Sequence, residues 1–76
     1  MPRYFFNTAD GRKVCDEEGV ELANDAAAKV YAVKYAGEVL TSEPESLAEG
    51  HKLDVQVVSE HGDTLFTFHS GVSVGG

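Results

Sequence analysis

The residues with the most chemical reach in this 76-residue chain fall in two places. Cys15-Asp16-Glu17-Glu18 sets a thiol directly before three carboxylates, which is material for a metal site or a nucleophile. His51, His61 and His69 are the side chains whose ordinary pKa lies near neutrality, and Ser70 follows the last of them. Neither group has the spacing its chemistry needs. No CxxC, HxxxH or HExxH accompanies Cys15, whereas structural zinc takes four ordered ligands. An acidic neighbourhood is also the wrong setting for a thiolate nucleophile. His69-Ser70 offers a base and a hydroxyl, but nothing marks an oxyanion site or an orienting acid. Asp10-Gly11 and Gly62-Asp63 lack the alternating oxygens of a calcium loop. The helix opens Ala23-Asn24-Asp25, without the glycine-rich turn that cradles a phosphate. Tyr4, Phe5, Phe6, Phe66 and Phe68 are rings able to stack bases, yet with no basic surround they read as core.

The elements that must position these residues are legible. Residues 3–8 form a short aromatic strand with Tyr4 and Phe6 on one face and Phe5 on the other. Asp10-Gly11 turns the chain, and residues 12–15 return as a shorter strand whose charged start marks an edge. The acidic run 16–19 ends that strand, and Val20 and Leu22 lead back toward a helix. Asn24 is the expected N-cap, with Asp25 at the positive end of the helix dipole. Through residues 24–40, Ala28, Ala32, Tyr35, Ala36 and Val39 make one apolar stripe, its alanines small enough for close packing on a sheet. Tyr31 falls off that stripe and is expected to be exposed. Asp25–Lys29 and Lys34–Glu38 have the spacing of helical ion pairs. Gly37 is unfavourable inside a helix; close backbone approach is the preferred reading, and an early frayed end the alternative. Thr41, Ser42 and Pro44 end the helix. Residues 42–50 are a loop with room for one helical turn. Residues 52–59 and 64–69 then form a second hairpin about His61-Gly62-Asp63. Leu53, Val55 and Val57 share one of its faces, and on the returning strand Phe66 and Phe68 share a face. On this register His61 is at the tip, while His51 and His69 approach the opposite end as exposed strand-end histidines.

The expected fold is therefore α+β: β-β-α-β-β, an antiparallel sheet with one helix packed on one face. Residues 1–70 make one domain, and the glycine-rich residues 71–76 a flexible tail. The three successive aromatics of the first strand call for a central place in the sheet or a dimer covering its open side. A domain of this length has a stability of roughly 4–11 kcal/mol and little core to give up to a deep cleft. The formal charge is −7, with five carboxylates and no base over residues 16–25, and four carboxylates and no base over residues 38–49. Such a balance repels phosphate backbones and argues against nucleic acid. The single cysteine rules out an intrachain disulfide and suits a reducing compartment. The first residues, Met-Pro-Arg-Tyr-Phe-Phe-Asn, do not read as a signal peptide, and Lys29 and Lys34 interrupt the longest apolar region. No membrane role is expected, and the cytoplasm is the default.

Several segments occur together in a familiar order: Met1-Pro2-Arg3-Tyr4-Phe5-Phe6, the Asp10-Gly11 turn, Asp16-Glu17-Glu18-Gly19-Val20-Glu21-Leu22, Ala26-Ala27-Ala28, Ala36-Gly37-Glu38, Val55-Gln56-Val57 and Gly62-Asp63-Thr64-Leu65-Phe66-Thr67-Phe68. This pattern resembles a family of very short proteins, about 70–80 residues, of unknown function from rhizobia and related soil bacteria. The resemblance covers nearly the whole chain. It implies a stand-alone cytoplasmic domain and brings no activity with it. Relatives often carry His directly after the Phe pair, where this chain has Asn7.

The functional expectation is a non-enzymatic protein-interaction domain, working as a homodimer or as an adaptor for a basic partner. No cofactor and no metal is expected. The candidate contact residues are Asp16, Glu17, Glu18 and Glu21 on one acidic segment and Glu43 and Glu45 on the other, together with an exposed sheet edge open to β-augmentation. The alternative is a small ligand-binding protein or enzyme whose site forms between subunits, with Cys15 or the histidines converging there. An antitoxin-like partner domain is a third, weaker option.

Overall fold

In a computed structural model, which describes residues 1–42, 44–50 and 52–72, the chain forms one antiparallel sheet with a long helix on one face. The strands are β1 (Arg3–Ala9), β2 (Lys13–Val14), β3 (Val20–Glu21), β4 (Leu53–Ser59) and β5 (Thr64–Ser70). Helix α1 spans Asp25–Ser42, and a single-turn helix α2 spans Pro44–Ala48. The sheet order is β2-β1-β4-β5, with β3 also paired to β1. The expected α+β architecture is what the chain adopts.

Alternation along the strands builds the core. Tyr4 and Phe6 of β1 lie on the helix side with Leu53, Val55 and Val57 of β4, and all five are buried. Cross-strand register sets Phe6 opposite Val57, then Val57 opposite Phe66 and Val55 opposite Phe68. Onto this floor α1 places Ala28, Ala32 and Ala36, each 1% exposed or less. Because these three side chains are methyl groups, the helix backbone comes close to the valines of β4. Tyr35 and Val39 flank the contact as the stripe requires. Asn24 caps the helix, its Oδ1 accepting the Ala27 N–H at 2.9 Å. The Asp10-Gly11 and His61-Gly62 turns form with positive φ at both glycines, 101° and 89°. β1 takes an interior place, with β4 along one edge and both β2 and β3 along the other.

Four local expectations give way. Gly37 approaches nothing: a Cβ there would meet no atom within 4 Å, and α1 continues past it to Ser42. The Asp25–Lys29 ion pair does not form, because Asp25 accepts the buried Tyr4 hydroxyl at 2.8 Å and Lys29 lies over the Phe66 ring, 5.7 Å from its centroid. No Lys34–Glu38 pair forms among the described residues. Tyr31 is half-buried rather than exposed, with its ring 4.7 Å from that of Phe6. The expected tail falls largely on residues 73–76, outside the described residues.

Candidate functional site

The acidic segment is where the structure adds most to the sequence reading. β2 pairs Val14 with Thr8; continuing that register would set Glu18 opposite Tyr4, but Val20 sits there instead. Two extra residues are thereby accommodated between β2 and β3, and residues 15–19 arch away from the sheet edge. The arch is closed by one side chain. Asp16 Oδ2 accepts the Phe6 N–H at 3.2 Å, in the gap that neither β2 nor β3 fills, and Oδ1 accepts the Glu18 and Gly19 N–H groups at 3.0 and 3.1 Å. The Asp16 N–H donates in turn to Asn7 Oδ1 at 2.9 Å. Asn7 thus anchors the arch to β1.

The electrostatics of Asp16 follow from this geometry. Partial burial pushes its carboxyl up, but the three backbone donors, from Gly19, Phe6 and Glu18, outweigh that and hold it below the ordinary carboxylate value. Gly19 completes the arch with φ of 73°, and a Cβ there would stand 2.9 Å from Arg3 Cγ and from Phe5 Cε2. Arg3 crosses the outside of the loop, donating to the Glu18 carbonyl at 2.8 Å and to Glu21 Oε1 at 3.2 Å.

Between the arch and α1 lies an open cleft of about 500 Å³. Phe6, Tyr31 and Tyr35 form its floor, with Tyr35 edge-on to Phe6 at 6.5 Å. Val14 and Cys15 make one wall, and Glu17 and Glu18 stand exposed on the rim. Neither rim carboxylate has a hydrogen-bond or ion-pair partner among the described residues, whereas Asp16 turns inward to the backbone. Aromatic rings below unpartnered carboxylates favour a cation with an apolar stem, which is the chemistry of a lysine or arginine side chain.

The six acidic positions named from sequence therefore separate. Asp16, Glu17 and Glu18 converge on the cleft. Glu21 is taken by Arg3, Glu45 is exposed on α2 and does not line the cleft, and Glu43 lies outside the described residues. Sequence reasoning missed Tyr31 and Tyr35 as the cleft floor, although their i,i+4 spacing puts them on one side of the helix. It also missed a partner for His69. Asp54 lies directly across the hairpin, with Oδ1 2.9 Å from His69 Nδ1 on the sheet face opposite the helix. That pair is exposed, 73% for the histidine side chain, and Ser70 donates to the Leu53 carbonyl at 3.0 Å. His69 and Ser70 therefore do not act as base and nucleophile toward one another. His61 is exposed at the hairpin tip, and His51 lies outside the described residues. Among the described residues, no three of His, Cys, Asp or Glu are placed to hold one metal ion. No helix among them is long and apolar enough to cross a membrane.

Residues 3–71 match the model of a family described as a domain of unknown function (DUF6894), and the chain belongs to that family. No curated protein matches it, and no solved structure matches it.

Proposed function

We propose that this member of the family is a non-enzymatic protein-interaction domain of the cytoplasm, and that it takes a basic side chain of a partner protein into the cleft between the 15–19 arch and α1. The observation that carries the reading is the cluster of Phe6, Tyr31 and Tyr35, with Tyr31 tilted and Tyr35 edge-on to Phe6, in one cleft with the unpartnered Glu17 and Glu18. Each element has a physical part. The half-buried Tyr31 and Tyr35 rings, backed by the buried Phe6, offer apolar contact to the methylene stem of a lysine or arginine. The rim carboxylates supply charge that is partly screened by solvent and salt, so they steer encounter more than they hold the complex. Asp16 keeps the rim in place by tying the arch to β1.

The test is a ¹H–¹⁵N titration with N-acetyl-arginine amide and N-acetyl-lysine amide, followed by arrays of basic peptides. Shifts concentrated at Val14, Cys15, Gly19, Tyr31 and Tyr35, and weakened in E17Q/E18Q, support the reading. Shifts spread evenly over all carboxylates, or unchanged in that double variant, overturn it. Cys15 is exposed on the same cleft, and this favours a second reading, a site for a small organic cation. Protection of the Cys15 thiol from alkylation by such a molecule, with no protection by basic peptides, would select it.

A further inference from the structure

The two edges of the sheet are finished very differently. Along β1 the outer edge is sealed: β2 pairs with Thr8 and Ala9, β3 with Arg3 and Tyr4, and the Asp16 carboxylate takes the Phe6 N–H between them. At the other side β5 is the last strand, and nothing among the described residues pairs with its outer edge. Seven residues of antiparallel strand present about 24 Å of unpaired backbone. Sheet edges are normally protected by lysine, proline, bulged geometry or inward charge. Thr64-Leu65-Phe66-Thr67-Phe68-His69-Ser70 contains no lysine, arginine, carboxylate, proline or glycine. Its irregularity is confined to the first residues, where the register shifts beside Val57 and Val58.

We infer that β5 is a homodimerisation edge, two copies pairing antiparallel about a two-fold axis at Thr67 to make one continuous sheet. This goes beyond the cleft reading and does not rest on it, since the cleft borders the far edge of the sheet. The strand is close to a palindrome about Thr67. A two-fold there sets Phe66 opposite Phe68 of the second copy, Leu65 opposite His69, and Thr67 opposite itself, with Thr64 left beyond the register shift. Such self-complementarity is what an isologous interface requires. The phenylalanines lie on the helix side, each now half-buried, and pairing would carry the row of Val55–Phe68 and Val57–Phe66 contacts across the axis as aromatic cross-strand pairs. Charge points to the same edge. Two copies of a chain of net charge −7 repel over most of their surface, but β5 brings no carboxylate to the axis. The adjoining Asp54 is engaged by His69, and Lys29 stands beside the edge over Phe66.

The experiment is sedimentation velocity on the full chain over the micromolar-to-millimolar range, with T67K, T67E and an equimolar mixture of the two. Like charges placed on the axis oppose pairing, and opposite charges favour it. The expected result is a concentration-dependent dimer for the wild type, at least tenfold weaker association for each variant alone, and recovery in the mixture. Dimers of T67K or T67E as tight as the wild type would overturn the inference, and so would a wild type that stays monomeric throughout. Should either variant fail to fold, hydrogen exchange of the wild-type β5 amides gives the same decision. Protection that rises with protein concentration supports the edge, and protection independent of concentration overturns it.

Discussion

The arch stands or falls with Asp16, and the cost of removing its carboxylate can be worked from the contacts. In Asp16→Ala three N–H groups lose their acceptor. The Glu18 amide is exposed and finds water, while the Phe6 and Gly19 amides are partly buried. A hydrogen bond to a charged group contributes about 1.5–3 kcal/mol when well buried, and partial exposure screens it toward the lower end or below. Two such bonds give roughly 2 kcal/mol, and in a domain of this size that lowers Tm by about 8–16 °C. Asp16→Asn keeps one acceptor oxygen but turns an N–H₂ against either Phe6 or the Glu18 and Gly19 amides, so about 1 kcal/mol is lost. The same geometry fixes the pH dependence. The folded-state pKa of Asp16 lies below its unfolded value, so its contribution is complete above the ordinary aspartate pKa of about 3.9 and disappears as pH falls through the lowered folded value. The assay is urea unfolding of wild type, D16A and D16N at neutral pH and again well below pH 3.9. Comparing wild type with D16N cancels the other carboxylates, and the gap between them should close in acid. A D16A loss under 0.5 kcal/mol, or a gap unchanged by acid, would refute the assignment of Asp16 as the clasp of the arch.

Other substitutions probe separate elements. Gly37→Ala places a methyl in open space on a continuous helix and should raise stability by about 0.5–1 kcal/mol, read as a higher urea midpoint with unchanged slope. Gly19→Ala combines a left-handed φ with contacts to Arg3, Phe5 and the Tyr4 carbonyl, and should cost about 2–3 kcal/mol by the same measurement. Ala32→Leu forces α1 away from β4, at a cost of about 1–3 kcal/mol and with altered near-ultraviolet dichroism from the adjoining Tyr31 and Tyr35. Val55→Ala, at a fully buried site under the helix, should cost about 2 kcal/mol in thermal or urea unfolding.

The sequence by itself determined the elements and most of the core. Tyr4 with Phe6, and Leu53 with Val55 and Val57, are marked by period-two alternation, and Ala28, Ala32 and Ala36 by helical spacing; both are local geometry that any window of the chain displays. Asn24, Gly11 and Gly62 announce a cap and two turns for the same reason. What depended on three dimensions stayed hidden. The Asp16-Glu17-Glu18 run is identifiable as acidic, but its division into one inward clasp and two rim carboxylates comes from a register offset between β2 and β3 against β1. Asp25 and Lys29 have ion-pair spacing, yet β1 offers a tyrosine hydroxyl to one and β5 a ring to the other. Tyr31 looks surplus to the helix stripe until β1 brings Phe6 beneath it. Propensity and periodicity act over a few neighbouring residues. A site made of side chains from an arch, a strand and a helix exists only once long-range pairing has set their register.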